Sequence, residues 1–141
     1  MEEAFIKHLE FIQTIINRMS NNSFLLKGWN VAISTVVLTL VVGVQNPLFV
    51  IIALFSALSF WGLDAYYLRQ ERLFRNLYDD LQDGMVTKRT KKNELFRLST
   101  DKYESQVPGW FRTLWSKSIV GLHGTVVATI LLAVAMLLLI S

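Results

Sequence analysis

Three long stretches of this chain carry almost no polar interruption: 24–44, 48–68 and 119–140. A helix of about 20 residues rising 1.5 Å per residue covers the roughly 30 Å hydrocarbon core of a bilayer, so each stretch predicts one membrane-spanning helix. Outside them the pattern is periodic. Phe5, Leu9, Ile12, Ile16 and Met19 recur at helical spacing, with Glu3, Lys7, Glu10, Gln13 and Asn17 off that stripe, which predicts an amphipathic helix over 2–19. Asn21-Asn22-Ser23 is expected to break it, with Ser23 as the N-cap of span 1. Gln45-Asn46-Pro47 reads as a tight turn, Pro47 fitting the first turn of span 2 where its missing N–H costs nothing.

Span 2 has no stop signal at its far end. Phe74, Leu77, Tyr78 and Leu81 continue the apolar pattern, and Glu71 stands four residues before Arg75. The pattern predicts one long helix over 48–82 that leaves the membrane as a stalk and ends at Asp83-Gly84. Residues 84–107 are the least ordered by composition. Pro108-Gly109 marks a turn, and Trp110–Trp115 reads as an interfacial helix whose indoles favour headgroup depth beside Arg112 and Lys117. The resulting fold class is an all-α integral membrane protein: an N-terminal amphipathic helix (1–22), a transmembrane hairpin (23–68), a cytoplasmic helical extension with basic loop and interfacial helix (69–118), and a third span (119–141), assembled as an oligomeric bundle.

Charge sets the orientation. All 14 Lys and Arg lie in 1–28 or 69–118, and none lies in the 45–47 turn or at the C-terminus. The positive-inside rule then places the N-terminus and 69–118 in the cytoplasm and the C-terminus on the other side of the membrane. The net charge of +3 resolves the same way, as +4 over 69–118, balance over 1–28, and −1 from Asp64. The opening Met1-Glu2-Glu3 is acidic and no apolar run begins before Phe24, so a cleavable leader is not expected and span 1 is read as the insertion signal. Cysteine is absent, which excludes disulfides, thiolate nucleophiles and Cys-based metal sites.

Catalytic chemistry has little support. The two histidines, His8 and His123, fall on different elements, and no nucleophile elbow, HExxH or DxD-type cluster occurs. No enzyme activity, cofactor or metal is expected. Without inverted repeats, interrupted helices or a charged midplane site, secondary transport is not expected either.

Four polar residues share a layer near one end of the spans. Lys27 and Asp64 lie at similar depth, Asn30 one turn deeper, and His123 in span 3. Ionisable groups inside spans face a partner or water. The layer therefore reads either as a gate or vestibule, or as a structural Lys27–Asp64 pair with His123 in an interhelical hydrogen bond. Gly28, Ala32, Thr35, Thr39 and Gly43 form a small and hydroxyl stripe on span 1, with Ala53 and Ala57 on span 2 and Gly121, Thr125 and Ala128 on span 3. Such stripes let helices approach closely, while Thr35 and Thr39 are the candidates for a pore lining. Three helices enclose no water path, so a pore requires several copies, with a tetramer as the working guess. The basic groups Arg69, Arg72, Arg75, Lys88, Arg89, Lys91 and Lys92 are candidates for holding phosphates of a nucleotide or oligonucleotide, the alternative being ordinary charge beside anionic lipid.

Three stretches carry a resemblance. They are Lys7–Gln13 leading into Asn22–Trp29, then Trp61-Gly62-Leu63-Asp64-Ala65-Tyr66-Tyr67-Leu68-Arg69-Gln70-Glu71-Arg72, and Val107-Pro108-Gly109-Trp110 with Trp115-Ser116-Lys117. Together they resemble small multi-pass membrane effectors of bacterial anti-phage defence operons, similar in outline to SLATT-type effectors and to Hailong-type channel subunits. The third span departs from a plain two-span SLATT pattern. The resemblance implies an effector that oligomerises into a channel, depolarises the cell and answers to a nucleotide or oligonucleotide made by a partner nucleotidyltransferase. The runner-up reading is a non-conducting membrane anchor or scaffold that recruits a cytoplasmic partner, and a holin-like lysis protein is a third.

Overall fold

The computed structural model describes residues 2–88 and 94–140, with the backbone alone at Pro47. Four α-helices account for nearly all of it: α1 (Glu2–Val44), α2 (Pro47–Val86), α3 (Trp110–Leu114) and α4 (Lys117–Ile140), with a 3-10 turn at Asp101–Tyr103. No strand occurs among the described residues. At 1.5 Å per residue α1 and α2 are each about 60 Å long, twice a hydrocarbon core, whereas α4 at about 36 Å crosses it once. All three contain a window apolar enough to span a membrane, and only 17%, 22% and 11% of those windows is buried inside the subunit. The uncovered side chains include Phe55, Leu58, Leu132 and Leu139. Apolar faces of that extent require lipid or protein cover, so this is a membrane protein.

One difference from the sequence pattern is that α1 does not break at Asn21-Asn22-Ser23. A break would strand backbone N–H and C=O groups just where the chain enters the apolar layer. The Ser23 hydroxyl instead bonds to Asp64 of α2, so it has a tertiary partner rather than a capping role. α1 ends at Val44. Gln45 adopts φ 53° and donates its N–H to the Val41 carbonyl at 3.1 Å, an αL-type stop. Asn46 then caps α2, accepting the Leu48 N–H at 2.9 Å, and Pro47 occupies the first turn. At its other end α2 runs through Asp83-Gly84 to Val86, where the Thr87 N–H and hydroxyl both reach the Asp83 carbonyl.

α1 and α2 form an antiparallel hairpin along their full length, and α4 packs beside both. There are two apolar cores. In the polar half, Phe5, Ile12 and Ile16 of α1 meet Leu73, Leu77 and Leu81 of α2, and Tyr103 and Val107 close over them. Residues 98–107, polar by composition, are therefore anchored on the bundle. In the apolar half, Val37 and Val41, Ala53 and Ala57, and Ile130 make the core. Both alanines are fully buried, which lets the three backbones approach.

Candidate functional site: a polar layer joining three helices

Between the two apolar cores lies a buried hydrogen-bonded layer. Ser23, Lys27, Asn30 and Ser34 succeed one another at steps of four, three and four residues, so α1 presents them along one face. α2 contributes Asp64, and α4 contributes His123. Asp64, Asn30 and His123 are fully buried, and Lys27 keeps 18% of its side chain exposed.

Asp64 is the hub. Its Oδ2 accepts from Lys27 Nζ at 2.6 Å and from His123 Nε2 at 2.8 Å, and its Oδ1 accepts from the Ser23 hydroxyl. Lys27 also donates to Ser23 Oγ at 2.9 Å. On the other side of the imidazole, Asn30 Nδ2 stands 2.6 Å from His123 Nδ1, and the Ser34 hydroxyl donates to Asn30 Oδ1 at 3.2 Å. The orientation of the Asn30 amide selects one tautomer. With Ser34 donating to the amide oxygen, the amide N–H points at Nδ1, which must carry its lone pair, so the proton sits on Nε2 and is shared with Asp64. With the imidazole in that neutral tautomer, Lys27 and Asp64 cancel and the layer carries no net charge. Such a layer is tolerable in a low-dielectric interior because each group has a partner.

Trp61 covers the layer. Its ring stacks on His123 with centroids 6.2 Å apart, and its Nε1 donates to the Leu114 carbonyl at 2.9 Å. Trp110 returns the contact, donating to the Gly62 carbonyl at 3.0 Å. The two indoles clamp α3 across α2, Phe111 is exposed, and the largely exposed Trp115 packs edge-on against Trp61 with centroids 6.1 Å apart.

The arrangement orients no nucleophile. A serine triad would place a hydroxyl on the second imidazole nitrogen, and here the Asn30 amide holds that position. Among the described residues no group of three His, Asp or Glu side chains is placed to hold a metal ion.

The structure thus brings together Lys27, Asn30, Asp64 and His123 and separates them from Thr35 and Thr39. Those two are exposed on the outer face of α1 with Gly28, Ala32 and Gly43, and Gly121, Thr125 and Ala128 are exposed on α4. Thr35 and Thr39 donate to the Val31 and Thr35 carbonyls at 2.8 and 2.9 Å, leaving their acceptor lone pairs outward. The basic candidates diverge. Arg69 donates to the Pro108 carbonyl at 3.3 Å and lies 3.9 Å from Glu104, Arg72 reaches Ser116 at 3.4 Å, and Arg75 pairs with Glu71 at 2.7 Å. Lys88 is exposed in the turn after α2, and Arg89, Lys91 and Lys92 lie outside the described residues. A cavity of about 590 Å³ at the tip of the polar half is lined by other groups, among them Asp80, Asp83, Arg97, Asp101, Lys102 and Tyr103.

Ser23, Ser34 and Trp61 belong to the layer but were not legible as such. The regular spacing of Ser23, Lys27, Asn30 and Ser34 was the available signal. His8 is a second buried histidine. Its Nδ1 accepts the Phe96 N–H at 3.1 Å, its Nε2 has no hydrogen-bond partner among the described residues, and Phe96 stands at φ 63°. No protein-family model, curated protein or solved structure matches the chain.

Proposed function

We propose that this chain is the subunit of a homo-oligomeric channel in a bacterial inner membrane, with its polar half and N-terminus in the cytoplasm and its C-terminus outside. The observation that carries this reading is the outward face of α1. Gly28, Ala32, Thr35, Thr39 and Gly43 are turned away from the other two spans, so the subunit's own packing does not use them. Within one subunit the spans pack around Val37, Val41, Ala53, Ala57 and Ile130, and three helices enclose no water path of their own, so a lumen requires several copies. A ring of copies with α1 inward would surround a lumen with the Thr35 and Thr39 hydroxyls. α1 and α2 run unbroken between the polar half and the spans, so movement at the tip reaches the pore as movement of rigid rods.

The resemblance to anti-phage membrane effectors supplies the biological setting: a defence effector that depolarises the membrane when a nucleotide or oligonucleotide from a partner nucleotidyltransferase binds the cytoplasmic side. A ligand biases such an equilibrium only through different contacts in the closed and open states. Arg69, Arg72, Arg75, Lys88, Arg89, Lys91 and Lys92 are the residues assigned to it. Neutralising Arg72, Arg75, Lys88, Arg89, Lys91 and Lys92 together should abolish the ligand response while leaving assembly intact.

A non-conducting anchor is the second reading, favoured by the wholly apolar run from Leu131 to Ile140 and by the sealed polar layer. Single-channel recording from purified protein in planar bilayers separates the two. Discrete conductance altered by Thr35→Trp with Thr39→Trp supports the channel with α1 as its lining. Conductance indifferent to that variant moves the lining to another helix, and silence with and without oligonucleotides supports the anchor.

A further inference from the structure

We propose that the Asn30–His123–Asp64 chain is a two-state proton switch that controls how α4 is held against α1 and α2. In the observed state the bond between α1 and α4 depends on a lone pair at His123 Nδ1, because the group 2.6 Å away is the Asn30 amide nitrogen. Uptake of one proton from water at Nδ1 sets two N–H donors against each other. The network has one internal remedy. The Asn30 amide turns over, its Oδ1 accepts Nδ1–H, and its Nδ2 donates to Ser34 Oγ, whose own hydrogen rotates away from the amide. Asp64 keeps the Nε2–H throughout. The same six side chains thus support two complete hydrogen-bond patterns of opposite polarity, selected by one proton.

The patterns differ in charge. α1 faces the imidazole with the Lys27 ammonium and α2 with the Asp64 carboxylate. α3 offers only Arg112, which is exposed, and α4 has no other ionisable group except exposed Lys117 at its start. Arg72, two turns along α2 from Asp64, is turned to Ser116 instead. The layer is neutral before proton uptake and carries +1 after it, and an uncompensated buried charge draws in water or separates the elements around it. α4 is the element free to yield. Only Ile119, His123 and Ile130 of its 24 residues are buried, so His123 is its sole polar attachment at the layer. Trp61, stacked on the ring, transmits the change to α3 through its bond to Leu114. The device operates on helix packing and holds whether or not the oligomer conducts.

The chain has no cysteine, so two introduced ones can be labelled uniquely. Spin labels at Val36→Cys and Leu132→Cys, in full-length protein diluted with unlabelled copies in lipid, report the α1–α4 distance. On lowering pH from about 8 to about 5, within the range where histidine titrates, a second, longer distance should grow reversibly. It should persist in His8→Gln, which removes the other histidine, and vanish in His123→Gln, whose amide bonds to Asp64 and Asn30 without titrating. A distance independent of pH, or a shift that survives His123→Gln, overturns the proposal. If His123→Gln does not fold, ¹⁵N spectra of the His8→Gln protein decide: Nδ1 must pass from bare to protonated across the interval, and an Nδ1 that stays bare overturns the switch.

Discussion

Lys27 Nζ lies 2.6 Å from Asp64 Oδ2, a carboxylate with no exposure to solvent that also receives His123 and Ser23. Removing one member of a buried pair leaves the other charge uncompensated, at a cost of roughly 3–5 kcal/mol. Asp64→Ala should therefore cause a loss of that size in denaturant unfolding in micelles. The combined Lys27→Met, Asp64→Leu exchange should recover part of it, because no charge is then left buried although Ser23 and His123 still lose their acceptor.

The second buried histidine makes a separate pH prediction. Burial pushes the His8 pKa below its ordinary 6.5, against a smaller opposing pull from the Arg97 backbone. The unfolded segment therefore binds a proton more readily than the folded one. The stabilising contribution is present in full above pH 6.5 and is lost as pH falls through that value toward the folded pKa. The protection factor of the Phe96 amide, whose N–H bonds to His8, should fall over that window, and His8→Gln should flatten the dependence.

Close packing at Ala53 and Ala57, both fully buried beside Val37, Val41 and Ile130, leaves no room for a larger side chain. Ala57→Leu should destabilise the subunit by about 1–3 kcal/mol. The corresponding change at exposed Ala128 should leave monomer stability nearly unchanged, as read by thermal unfolding in detergent.

Gly62 is where α3 rests on α2. A Cβ there would stand 3.3 Å from Trp110 Cζ2, and the half-exposed indole has room to give. Gly62→Ala should be close to neutral, since the helix gains about 0.5–1 kcal/mol from losing a glycine. Gly62→Ile should push Trp110 off its bond to the Gly62 carbonyl, and the red-shifted tryptophan emission of a released indole would report it.

The sequence alone determined the three spans, the Gln45-Asn46 turn with Pro47 behind it, and the continuation of span 2 into a stalk. These are local matters, set by run length, helical period and backbone restriction, and they need no knowledge of neighbours. Placing Lys27 and Asp64 at similar depth, with Asn30 one turn deeper and His123 in the inner part of span 3, also followed from counting along the helices. Tertiary structure decided the rest. Ser23 is not a cap, because a buried carboxylate 41 residues away outcompetes a local role for its hydroxyl. Polar residues 98–107 are ordered because Tyr103 and Val107 find an apolar core that their own segment does not contain. The small residues of span 2 turn inward and those of spans 1 and 3 outward, since which face of an apolar helix meets its neighbours depends on relative rotation, and period alone leaves that rotation open. The imidazole tautomer, and with it the two-state layer, exists only where three helices bring Asn30, His123 and Asp64 into line.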